Sequence, residues 1–247
     1  MKKLLLSGIM ALALMAAGTA QAGGLSINGE TGLARTPLAM SLAPMQVAVA
    51  VDYVASDVAF VPVRLELGLP YGIEVGGAYQ WVDLDDTTIW SLNGKWVLPK
   101  FVENLGLAVG GHYYALEVGN ADNDGHDIYA VATYSVPMGE GMAIVPSFGV
   151  NWLSRTGDND KDAIKWFGSL LFKAPMWAVG GEYLMADDDV DGENTDDFYW
   201  VGGRFFLNPM ITLQAGYLNN ANILDDEGDV EDGVFHIGAQ FAFGGAK

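Results

Sequence analysis

The chain has 247 residues, 51 % of them apolar, with 32 glycines, no cysteine and a formal net charge of −19. That acidity excludes a nucleic-acid partner, because binding phosphates needs clustered Lys and Arg. The missing cysteine excludes a disulfide framework, a thiolate metal site, a Cys nucleophile and a lipidation site.

The first 22 residues read as a secretory signal. Lys2 and Lys3 supply the positive start, Leu4 to about Ala17 the apolar stretch, and Ala20-Gln21-Ala22 the small-x-small site, with cleavage expected after Ala22. Removing it would take the charge to −21 (−19 minus the two Lys). The apolar run is too short to span a bilayer, and no other stretch reaches about 18 uninterrupted apolar residues. Residues 23–45 follow no period, since Gly and Pro interrupt them. They form an N-terminal segment that either plugs a barrel or hangs as a mobile periplasmic arm.

From Gln46 onward, strands and breakers alternate. The expected strands are 46–55, 60–69, 73–83, 88–97, 105–116, 126–136, 142–154, 163–173, 177–186, 198–207, 211–219 and 233–243. Twelve strands, most of about nine to eleven residues, match the length of a tilted membrane strand. Every second residue is apolar and often aromatic. Examples are Val61/Val63/Leu65/Leu67, Ile73/Val75/Tyr79/Trp81, Ile164/Trp166/Leu170/Phe172 and Phe235/Ile237/Phe241/Phe243. The opposite face carries the charges Asp52, Arg64, Glu66, Glu74, Lys95, Lys165, Lys173, Glu182 and Arg204, and also His236.

A soluble sandwich shares that alternation, so other features decide what the apolar face meets. Six of the seven Trp lie on it, mostly near strand ends, as aromatic girdles at a bilayer interface require; Trp200 alone has the inward parity. Connections after even strands are short and carry Pro, Gly or Asn, while those after odd strands are mostly longer and acidic. An even strand number places both ends of the barrel chain on the short-turn, periplasmic side. The fold class expected is therefore an all-β, transmembrane, antiparallel up-and-down β-barrel of about 12 strands spanning residues 46–243, monomeric, with 244–247 as a tail. It would lie in the outer membrane of a Gram-negative bacterium, against outer-membrane lipid and lipopolysaccharide.

Two stretches resemble known families. Gly29-Glu-Thr-Gly-Leu-Ala-Arg-Thr-Pro-Leu38 resembles the start of large barrel proteins associated with exopolysaccharide secretion. His236-x-Gly238-x-x-Phe241-x-Phe243 resembles the C-terminal insertion signal of small porin-like outer-membrane barrels, which implies the barrel assembly machinery as a partner during insertion. Such chains usually stop at the final aromatic, whereas Gly244-Gly-Ala-Lys247 follows here.

The expected outer loops are rich in acid. Asp187-x-Asp189-x-Asp191-Gly192 matches the first half of a calcium loop, but its twelfth position is Phe198 instead of a bidentate Glu. The same run also reads as a solvated, self-repelling loop. The broader expectation is that these loops gather Ca2+ or Mg2+ beside lipopolysaccharide phosphates, which calcium titration tests; no other cofactor is implied.

The mixed-charge inner face reads as the lining of a narrow passive channel for small polar solutes, or as residues that pair across the interior and close it. Gly76, Ala78, Gly106, Ala108 and Gly110 leave space along one wall, to be filled by water or by residues 23–45. A non-conducting envelope scaffold, or an accessory barrel of polysaccharide export, is the alternative function. A barrel hydrolase is the third, resting on His126 beside Asp127 near Asp124. No catalytic residue is assigned, because no phosphate loop, zinc motif or nucleophile elbow is present.

Overall fold

The structure, a computed structural model, describes residues 24–26, 28–55, 60–82, 87–118, 121–156, 161–185, 197–219 and 233–245. The expected signal and most of the acidic loop residues, including Asp187, Asp189 and Asp191, lie outside them. The strands are β1 (Gln46–Ala55), β2 (Phe60–Leu69), β3 (Ile73–Val82), β4 (Thr87–Val97), β5 (Leu105–Val118), β6 (Ala121–Tyr134) and β7 (Val136–Gly139). They continue as β8 (Met142–Thr156), β9 (Lys161–Lys173), β10 (Trp177–Leu184), β11 (Phe198–Asn208), β12 (Ile211–Leu218) and β13 (Val234–Gly244).

Each strand pairs antiparallel with its sequence neighbour except at β6, which pairs with β8 past the short β7, and β1 pairs with β13 from Gln46↔Gly244 to Ala55↔Phe235. That last pairing closes a twelve-stranded barrel with one extra short strand. Closure leaves no open edge, the condition a sheet must meet in hydrocarbon. The extra strand, β7, continues β6 along β8 after a break at Ser135. Pro137, which has no N–H to donate, sits next to the register shift there.

The short connections are tight. In the β2–β3 turn, Tyr71 and Gly72 both have positive φ, 66° and 76°; a Cβ at Gly72 would also press on the Val97 carbonyl.

Two hairpins are longer than the alternation suggests. β5 and β6 pair out to Val118↔Ala121, and β8 and β9 to Arg155↔Lys161. Asp122, Asn123 and Asp124 end the apolar alternation, but backbone pairing does not require it, so the ladder runs on past the apolar band.

Parity has the expected sense. Leu92, Ile164, Val201, Phe235 and Ile237 are 58–66 % exposed, and so are large parts of Trp81, Trp96, Trp152, Trp166 and Trp177. Trp200 is 2 % exposed and points inward. A continuous apolar surface around the whole sheet exceeds what a water-soluble monomer presents. Strands of about ten residues, tilted about 40°, cover the apolar band of about 25 Å. The outer wall is thus a lipid-facing surface.

Candidate lumen and its resident segment

The described residues between Gly24 and Leu42 lie inside the barrel, and the chain emerges at Pro44 and Met45, which are exposed. Leu25, Glu30, Leu33, Leu38 and Leu42 are all buried to 2 % exposure or less. The segment folds back on itself through Gly32 N–H to the Gly24 carbonyl (2.9 Å), Leu33 N–H to the Thr36 carbonyl (2.9 Å) and Leu38 N–H to the Thr31 carbonyl (3.1 Å). Wall side chains take up further main-chain groups of the segment, among them the N–H groups of Leu25 and Ala39.

The wall's polar groups fall into clusters set by strand register. Glu74 on β3 lies opposite Lys95 on β4 and pairs with it at 2.7 Å, both fully buried. Lys95 Nζ donates to the Thr31 carbonyl (3.0 Å), the Leu38 carbonyl (3.3 Å) and Thr31 Oγ1. Glu74 accepts from Thr31 N–H (3.4 Å) and Leu42 N–H (2.5 Å). Across the barrel, Glu182 on β10 accepts from two consecutive amides, Arg35 N–H (2.6 Å) and Thr36 N–H (3.1 Å), and from the Thr36 hydroxyl (2.6 Å).

Asp52 and Arg64 pair at 2.5 Å, and Gln214 donates to Asp52 at 2.8 Å. Arg64 also donates to the Leu25 and Ser26 carbonyls (3.2 and 2.9 Å), and Arg204 to the Leu33 carbonyl (3.4 Å). Gly238 lies directly opposite Asp52, and a Cβ there would collide with the Asp52 carboxylate. The glycine of the insertion-signal pattern therefore also makes room for this pair. In the same strand, His236 Nε2 accepts from the Trp200 indole N–H at 2.6 Å, while Phe241 and Phe243 face outward and are exposed.

The remaining wall residues singled out in the sequence are placed as follows. Glu66 is buried and folds over Gly76, where a Cβ would strike its carboxylate. Lys165 and Lys173 are half-buried on β9. Two of the spaces along the small-residue wall are filled by side chains, Glu66 over Gly76 and Tyr129 over Gly110, and the Ala39 carbonyl of the segment packs on Gly106.

One cluster was not legible in advance. His112 sits between Asp127 (Nδ1, 2.7 Å) and Glu30 of the segment (Nε2, 2.9 Å). Only the doubly protonated ring can donate to both carboxylates. Burial alone pushes the Glu30 carboxyl up, but His112 and Lys95 beside it more than offset this and hold it below its ordinary value. Strand parity was the available signal for Asp127, which shares the inward set of β6 with Tyr129, Val131 and Thr133. The same parity separates it from His126, whose ring meets Trp152 edge-on at 5.8 Å between centroids. The two residues on which a hydrolase reading rests thus point to opposite faces.

A second feature missed in the sequence is an apolar cluster at the end away from the short turns. Val54, Phe60, Phe198, Trp200, Leu218 and Val234 point inward there and pack with Leu33 and Ala34 of the segment. The gap between Leu33, Asp52, Arg64, Trp200, Arg204 and His236 leaves no room for a water molecule.

No family model matches the chain, and no curated protein matches it by sequence. Solved structures do. The KdgM porin is similar at a TM-score of 0.60 and 10 % identity, covering 80 % of this chain and 99 % of that one. A structure titled as the same porin in complex with disordered oligogalacturonate gives 0.59 at 10 % identity, with the same coverage. The NanC porin gives 0.57 at 12 % identity, covering 79 % and 98 %. With the closed ladder, the lipid-facing exterior and the polar interior, these likenesses establish the fold: the chain is a porin-like β-barrel of the outer-membrane type.

Proposed function

We propose that the protein is a narrow outer-membrane channel for small polar solutes that is closed while the N-terminal segment ending at Leu42 is seated in it. The observation that carries this reading is the use made of the lumen charges. Arg64, Glu74, Lys95, Glu182 and Arg204 line the interior as a selectivity zone would, and each is engaged with the segment. These bonds join the wall to one continuous stretch of chain, so the segment can leave as a unit and uncover a charged, hydrated lumen.

The packing of Leu33 and Ala34 into the apolar cluster favours a second reading, a permanently sealed scaffold or an accessory barrel of polysaccharide export. Planar-bilayer recording separates the two. The full chain is expected to show rare, brief openings. The full chain carrying Leu33→Asp and Leu38→Asp places carboxylates where burial is penalised, and its open probability should rise at least about tenfold, the factor that a 1.4 kcal/mol bias produces. Silence from both proteins, with heat-modifiable gel mobility showing that both are folded, contradicts the channel and supports the scaffold.

A further inference from the structure

We infer that the lumen is a cradle for polypeptide main chain, and that the solutes it takes once the segment has left are short peptides. This rests on the channel reading for its physiological sense, but the binding site stands on its own geometry. Two residues of the segment are clamped on both halves of their backbone. Leu25 donates its N–H to Gln240 (2.9 Å), and its carbonyl accepts from Arg64 (3.2 Å). Thr31 donates its N–H to Glu74, its carbonyl accepts from Lys95, and these two partners are themselves an ion pair. Glu182 adds a third hold, with one carboxylate receiving two successive amide hydrogens. The clamps on Leu25 and Thr31 each offer an acceptor and a donor at the spacing of one residue's N–H and C=O.

Recognition made through main-chain atoms tolerates many sequences. Apolar pockets flank the clamps and suit side chains rather than hydroxyls. Leu25 and Leu42 pack on Ala48, Ala50 and Ala242, and Leu33 packs in the cluster around Trp200. A sugar would leave those pockets unfilled. The carboxylate partners of Arg64 and Lys95 also remove the unbalanced positive charge that would draw a polyanion.

Calorimetric titration in detergent tests this with three proteins: the native full chain, the full chain with Leu33→Asp and Leu38→Asp, and a variant lacking residues 24–42. The probes are an end-capped uncharged pentapeptide containing two Leu, and maltopentaose. The native chain should bind neither probe, because its cradle is filled. At least one of the other two should bind the peptide saturably at one site, with maltopentaose at least about tenfold weaker. Adding Glu74→Gln to that background should weaken peptide binding by at least about tenfold, as losing a charged hydrogen-bond acceptor does. Equal binding of sugar and peptide, or no peptide binding by either opened protein, overturns the inference. Electrical silence in bilayers would instead contradict the channel reading and leave the calorimetric result in force.

Discussion

Replacing Lys95 with Met is expected to destabilise the folded barrel by about 3–5 kcal/mol, because removing one member of a buried pair strands the other charge. Glu74 would remain fully buried with no cation beside it, the Leu38 carbonyl would lose its Lys95 donor, and the Thr31 carbonyl would keep only the Leu38 N–H. The ion pair itself need not be strongly stabilising, since desolvation offsets most of its attraction. The effect comes from orphaning Glu74, so Glu74→Gln in the Lys95→Met background should recover most of the loss. Two readouts report on it: the urea midpoint of the vesicle-embedded protein, and trypsin cleavage after Arg35. Wild type should resist trypsin and the single variant should be cut. A loss under about 1 kcal/mol would mean that water already solvates the pair and that the segment does not seal this part of the lumen.

Leu92→Arg addresses the opposite face of the same strand. Leu92 is exposed at the middle of β4, where a strand of this length crosses the centre of the bilayer. Arginine on the lipid face at the midplane costs about 2–4 kcal/mol, whereas the same change on a water-exposed surface usually falls within about 0.5 kcal/mol. Tyr71→Arg, in the exposed β2–β3 turn, supplies the comparison and should lie within about 0.5 kcal/mol. Equal, small effects at both positions would place Leu92 in water and dismiss the membrane assignment.

The barrel was legible because its physics repeats at period two. Val61, Val63, Leu65 and Leu67 face lipid by the same rule that turns Arg64 and Glu66 inward, and six Trp on one face identify the solvent. The interior was only partly legible. The charges were visible as a set, but their partners are mostly amides and carbonyls of residues 25–42, and side-chain identity does not label main-chain atoms. Thus Thr31 is central to the site although nothing in its type announces it. Val54, Phe198 and Val234 were obscured for another reason: apolar residues on the inward parity read as noise against a polar lumen until the packing of Leu33 among them is known. Adjacency in sequence sets Asp127 beside His126, whereas strand parity sets it inward against His112.

Because the chain has no cysteine, a single introduced thiol reports directly on whether the segment occupies the lumen. Leu33→Cys in the full chain, embedded in lipid vesicles and exposed to a water-soluble maleimide, should stay unlabelled until the barrel is unfolded, while Lys100→Cys on the exposed β4–β5 connection labels at once. Labelling of Leu33→Cys in the folded protein as fast as Lys100→Cys would place the segment in water and leave the barrel open.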